Sequence, residues 1–231
     1  MSLWTRGAFR SKDRPMASGW FITFEGGEGA GKTTQIRRLA SRLTDLGHDV
    51  VVTREPGGSP GAEAIRDLVI NGAADRWSPL TEALLMNAAR RDHIERVIAP
   101  ALARGQTVLC DRFADSTRAY QGAGGAVDPA AIAALEAVVL EDLRPDLTLV
   151  LDLPVAEGLA RAAARGGGEA RFESKGQAFH ERLRAGFLTI AAAEPGRCRV
   201  VAADQSPEAV EAALWAAVEP LLPPAGAQTH G

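Results

Sequence analysis

Five short apolar runs punctuate the chain, and the stretches between them carry apolar residues every three or four positions. The runs are Trp20 to Phe24, Asp49 to Thr53, Gln106 to Cys110, Leu147 to Leu151 and Arg199 to Ala202. They are short, rich in β-branched or aromatic residues, and bounded by turn formers, so they read as strands. The intervening periodicity predicts helices over Gln35 to Leu46, Gly61 to Ile70, Pro79 to about Arg104, Val155 to Arg165, Phe172 to Ala193 and Pro207 to Leu222. Pro100 should kink or break the long third helix. A further helix starts at Asp128-Pro129, with Asp at the N-cap and Pro at the first turn. Leu46-Gly47-His48 reads as a helix C-cap. Residues 122 to 127 read as a glycine-bearing loop, and Gly166-Gly167-Gly168 as a break.

Strands that alternate with helices imply parallel βαβ units, hence a three-layer α/β fold around a five-stranded sheet. No second core, linker or internal repeat shows, so residues 19–222 read as one domain. Met1 to Ser18 is polar and basic without an apolar signal core, and reads as a disordered extension with Met16 as a plausible second start. Residues 223–231 read as a disordered tail.

Composition narrows the class. Of 231 residues, 46% are hydrophobic and 24% charged, ordinary for a soluble globular protein. A net charge of −3 gives no support for a general nucleic-acid surface. No apolar stretch approaches the roughly 18 residues that cross a bilayer, so no membrane partner is expected. The two cysteines, Cys110 and Cys198, lie in strand-like runs outside any metal-binding spacing and read as buried, reduced thiols of a cytoplasmic protein.

The chemistry starts where the first strand ends. Gly26-Gly27-Glu28-Gly29-Ala30-Gly31-Lys32-Thr33-Thr34 fits the P-loop pattern between a strand and a helix. Its glycines let successive backbone N–H groups face phosphate oxygens, and the following helix N-terminus adds positive potential. Lys32 reaches the β- and γ-phosphates and the Thr33 hydroxyl ligates Mg²⁺. Polar segments also follow the second and third strands: Arg54 to Pro60 and Asp111 to Gln121. Strand C-terminal ends share one edge of such a sheet, so all three segments should meet there. In the third, a carboxylate at Asp111 can hold water on Mg²⁺ or orient an attacking oxygen, and the planar Arg112 can grip a second phosphate.

Thr53-Arg54-Glu55-Pro56-Gly57-Gly58, Asp111-Arg112-Phe113 and Ser116-x-x-x-Tyr120-Gln121-Gly122, in this order behind this P-loop, resemble bacterial thymidylate kinases from about Trp20 to Leu222. The resemblance implies a P-loop kinase fold with a short lid at about 165–173, transfer of the γ-phosphoryl of ATP to dTMP in dTTP synthesis, a Mg²⁺ requirement and a homodimer. It places Glu28 and Glu55 at the substrate sugar and phosphate, Arg66 and the more central Arg112 on the substrate phosphate, and Arg90 on thymine. Ser116 or Thr117 and Gln121 match further base contacts, and Tyr120 the ring that crowds the sugar 2′ position. Met86 stands where relatives commonly carry a phenylalanine that stacks on thymine; its thioether still covers a base face. Gly29 stands where some relatives have an arginine, leaving positive charge to the lid, through Arg171 ahead of Arg165. Asp204, before Ser206-Pro207, resembles the loop bordering adenine.

Transfer is then direct and in line, with positioning rather than a general base carrying the rate, and with Asp111 organising the metal's waters. A P-loop signalling switch is the alternative of a different class, but guanine-reading Asn-Lys-x-Asp is absent. A kinase for another monophosphate, such as dUMP, is the alternative among enzymes.

Overall fold

The computed structural model describes residues 19–73, 75–165, 170–173 and 175–222. The expected disordered ends (1–18 and 223–231) and the glycine break lie outside them. Five parallel strands form one sheet in the order β2-β3-β1-β4-β5: β1 (Phe21–Glu25), β2 (Val50–Arg54), β3 (Thr107–Asp111), β4 (Leu147–Asp152) and β5 (Cys198–Ala202). β1 lies in the middle and is buried along its whole length. The chain runs outward to β2 and β3 on one side, then crosses to β4 and β5 on the other, so the end of β1 is the topological switch point where such sheets bind ligands.

Alternation along β1 and β4 divides the core between the two faces. Ile22, Phe24, Leu149 and Leu151 pack under α1 (Lys32–Asp45) and α10 (Pro207–Val218). On the opposite face Phe21, Val108 and Cys110 pack with Ile94, Ile98 and Phe113. Val150 meets a cluster of Tyr120, Phe172, Phe179, Leu183 and Phe187 there. That face is covered by α2 (Pro60–Ile70), α3 (Pro79–His93), α6 (Pro129–Leu140), α7 (Val155–Arg165) and α9 (Gln177–Ala193), with the short α4 (Ala99–Ala103), α5 (Ala114–Thr117) and α8 (Ala170–Glu173) between them. Cys110 and Cys198 are both buried and unpaired.

Several helix ends form as expected. Gly47, at φ 86°, closes α1: His48 N–H donates to Leu43 O and Gly47 N–H to Thr44 O. Asp128 accepts from Ala130 N–H at 2.8 Å. Three expectations need correction. Before Pro100 the long helix widens into π-helical turns over Ile94–Ile98 and then continues as α4, which accommodates a ring that would otherwise strike the carbonyl one turn back. Residues Arg118–Gly124, partly expected as loop, wind as π-helical turns. The helix expected from Phe172 to Ala193 begins only at Gln177, because the chain breaks at Lys175-Gly176 and leaves α8 apart.

Candidate active site

The segments after β1, β2 and β3 converge. Glu55 N–H donates to Asp111 O at 2.9 Å, Thr33 Oγ1 to Asp111 Oδ2 at 3.1 Å, and Arg112 Nη1 to Gly26 O at 3.0 Å. The P-loop takes its shape from glycines with no substitute: Gly26 has φ 133° and its missing Cβ would overlap Leu151 O, while Gly29 has φ 69° and lies against Gly158 O of α7. An arginine at position 29 has no room in this packing. Gly27, Ala30 and Gly31 complete the turn, and Thr33 and Thr34 are exposed at the start of α1.

Lys32 is buried, with Nζ donating to Gly26 O (3.2 Å) and Gly27 O (3.0 Å). Burial, then the charge of Arg112, pulls its ammonium below the usual lysine value, against Asp111, Glu28 and Glu25. Thr33 and Asp111 are hard oxygen donors of the kind a water-retaining Mg²⁺ takes, so the residues fit the metal.

Arg112 is the junction between the P-loop and the neighbouring pocket. Besides Gly26 O it donates to Glu28 Oε1 (3.1 Å) and Ser116 Oγ (3.4 Å), and its guanidinium lies 4.9 Å from the Tyr120 ring centroid. Tyr120 OH donates to the same Glu28 oxygen at 2.6 Å. Burial raises the Glu28 carboxyl, but Arg112, Lys32 and the Tyr120 bond outweigh it and hold the group at about 2, fully ionised at neutral pH.

The pocket holds about 390 Å³ of empty space open to solvent, lined by Glu55, Pro56, Met86, Arg90, Arg112, Phe113, Ser116, Thr117, Tyr120, Gln121 and Phe172. At its floor Arg90 is buried and makes four hydrogen bonds: Nε to Glu55 Oε2 (2.7 Å), Nη1 to Asn87 (3.2 Å), Nη2 to Phe113 O and Thr117 Oγ1 (both 3.0 Å). Glu55 is taken up by Arg90 and by His93 Nδ1 at 3.1 Å, so it orients the floor. Gln121 is held by Glu82 at 3.2 Å.

Two nominated arginines, Arg66 and Arg171, lie outside the pocket lining. Arg66 donates to Pro56 O at 2.7 Å from α2 and is outside the pocket lining. Arg171, expected as the leading lid arginine, is buried, donating to Ala73 O (3.0 Å) and Val69 O (3.1 Å) and paired with Glu82. Arg165 ends α7, and its side chain lies outside the described structure. Asp204 sits in the β5–α10 turn, where Ser206 caps α10 through Ala209 N–H at 3.2 Å.

Sequence reasoning missed five members. Pro56 and Phe113 sit inside motifs quoted above, whereas Phe172 and Glu82 come from distant segments with no local signal. Glu25, the polar residue closing an apolar strand beside the P-loop, offered one. It is fully buried, and burial with the nearby Asp115 charge pushes it up to about 7 against the pull of Ser116, Arg112 and the Phe113 N–H.

A phosphate cradle at the switch point, sharing one arginine with a neighbouring pocket, defines a P-loop phosphotransferase with a small phosphorylated acceptor. A family model described as thymidylate kinase matches residues 24–214. The thymidylate kinase of Caulobacter vibrioides is 72% identical over 199 residues, covering 86% of this chain and 95% of its own length. That of Bradyrhizobium diazoefficiens is 53% identical over 213 residues, covering 91% and 93%. The crystal structure of thymidylate kinase from Ehrlichia chaffeensis superposes with a TM-score of 0.70 at 35% identity, covering 87% of this chain and 99% of that one. This chain belongs to the thymidylate kinase family, enzymes that phosphorylate dTMP to dTDP.

Proposed function

We propose that the enzyme transfers the γ-phosphoryl group of ATP to the phosphate of dTMP in one in-line displacement, giving dTDP and ADP for dTTP synthesis. The observation that carries this reading is Arg112, whose guanidinium touches the P-loop, Glu28 and Ser116 together. An acceptor phosphate gripped there faces a donor phosphate held by the P-loop, so the reacting oxygens meet without a covalent intermediate. Lys32 and the backbone N–H groups of Gly27 to Thr34 hold the donor phosphates, and Arg165 brings positive charge from the lid. Thr33, and Asp111 through water, would hold Mg²⁺, which would supply positive charge against the phosphates. The acceptor phosphate already ionises near neutrality, so no strong general base is required.

The pocket supports thymine as the base. Met86, Phe113 and Phe172 give apolar walls, and Arg90, Thr117 and Gln121 give polar edges, with Ser116 nearer the phosphate end. Arg66 acts at a remove, fixing the Pro56 carbonyl beside Glu55. Exposed Leu80 and Leu84 on α3 and Val138 on α6 support a homodimer that covers them. Two buried unpaired thiols are consistent with work in the reducing cytoplasm. Among the described residues no helix is long and apolar enough to cross a membrane.

The test is ADP release across a panel of nucleoside monophosphates. dTMP should be turned over fastest, with stoichiometric dTDP, ahead of dUMP. Brisk activity on CMP or GMP with none on dTMP would overturn the assignment, and slow ATP hydrolysis indifferent to any acceptor would point to a switch. Tyr120 supplies a sharper check, since its ring lines the pocket between Glu28 and Phe172. Tyr120→Ala should narrow the preference for deoxy- over ribothymidine monophosphate by about tenfold. That is read as a ratio of kcat/KM values, which does not depend on how much enzyme is folded. An unchanged ratio removes the 2′-excluding role from Tyr120.

A further inference from the structure

Arg112 has a left-handed backbone, φ 68°, which strains a non-glycine residue and persists only where its surroundings over-determine it. Two consecutive residues of β1 supply the constraint. Arg112 N–H donates to Phe24 O at 2.9 Å. The next residue of β1, Glu25, holds the turn that follows: it accepts from Phe113 N–H at 2.8 Å and Ser116 N–H at 3.2 Å on Oε1, the latter shared with Phe113 O at 3.1 Å, and from Ser116 Oγ–H at 2.6 Å on Oε2. Ser116 Oγ in turn accepts from Arg112 Nη1 at 3.4 Å, so the carboxylate fixes both the backbone after Arg112 and one contact of its guanidinium.

We propose that Glu25 is a positioning residue, holding Arg112 in the conformation that grips the acceptor phosphate. The proposal rests on the reading of Arg112 given above. Glu25 is fully buried and is not among the residues that line the acceptor pocket, so it acts only through its neighbours. Its two oxygens receive three donors, a demand that a carboxylate meets and an amide does not, because one end of an amide presents N–H groups of its own. A neighbouring carboxylate, Asp115, is already engaged by Arg197 at 2.6 and 2.9 Å, which leaves Glu25 as the acceptor for the turn.

The experiment compares dTMP with thymidine, which has the same base and sugar but no phosphate, by calorimetric titration of the intact enzyme. Glu25→Gln should weaken dTMP by about tenfold, the loss expected when a buried hydrogen-bond donor is left without its acceptor. Thymidine affinity should stay within twofold. In turnover, KM for dTMP should rise by a similar factor while KM for ATP stays within twofold. Glu25→Asp keeps the charge but cannot span all three donors, and should fall between wild type and Glu25→Gln. Equal weakening of dTMP and thymidine, or of neither, overturns the proposal. Collapse of both variants also counts against it, since Glu25 would then be holding the fold rather than Arg112. Arg112→Ala separates the two layers. If it leaves dTMP affinity intact, the phosphate role itself fails; if it weakens dTMP while Glu25→Gln does not, only the positioning role fails.

Discussion

Lys32→Ala should lower kcat by about a thousandfold without lowering the melting temperature. Removing one well-placed donor from a site of developing charge costs on the order of 10²–10³ in rate, and Lys32 is the cation that the P-loop itself carries, held on the Gly26 and Gly27 carbonyls. The stability half follows from its environment. An ammonium buried against two carbonyl oxygens, close to Arg112 and pulled below the normal lysine value, is held at some cost to the fold. Its removal relieves that cost, so thermal unfolding should shift upward or stay put. Steady-state ADP release and a melting curve on the same preparation check both halves. A kcat within tenfold of wild type would mean that the lysine is not addressing the donor phosphates.

Much of the architecture was legible because the inner strands β1, β3 and β4 are buried on both faces and therefore read as apolar runs. The errors at the strand ends are systematic and have a cause. The apolar runs stop at Phe24, Thr53, Cys110 and Leu151, yet β1 to β4 each continue one residue further, to Glu25, Arg54, Asp111 and Asp152. Backbone pairing carries on past the core into the functional edge, where hydrophobicity no longer reports it. Two of these four residues, Glu25 and Asp111, lie at the heart of the site.

What stayed illegible depends on distance along the chain. The P-loop and the Asp111-Arg112 pair announce themselves through spacing, because their geometry is local. Glu82 is an unremarkable position in the first turn of α3 until the fold brings Arg171, Lys175 and Gln121 to it. Phe172 belongs to the acceptor pocket for the same reason. The Lys175-Gly176 break was hidden because Phe172, Phe179, Leu183 and Phe187 keep a plausible helical spacing across it, while in space they gather around Val150 and Tyr120.

Arg171→Ala distinguishes an anchor from a catalytic lid residue. Its side chain is fully buried, caps the carbonyls of Val69 and Ala73 at and just beyond the C-terminal end of α2, and pairs with Glu82, itself only 2% exposed. Breaking a buried ion pair from one side leaves an uncompensated charge and typically costs 3–5 kcal/mol. Lys175 Nζ, 3.9 Å from Glu82, compensates in part, which favours about 3 kcal/mol, or a melting temperature lower by roughly 6–12 °C for a domain of this size. Gln121 shares Glu82 and should lose its orientation, so KM for dTMP should rise severalfold while kcat per folded molecule at saturating substrate stays within tenfold. A residue acting on the transferred phosphoryl group would behave in the opposite way, with kcat falling by about a hundredfold or more and the melting curve unmoved. The two signatures do not overlap, so one melting curve and one saturation curve decide whether this end of the lid fastens the acceptor pocket or takes part in the transfer.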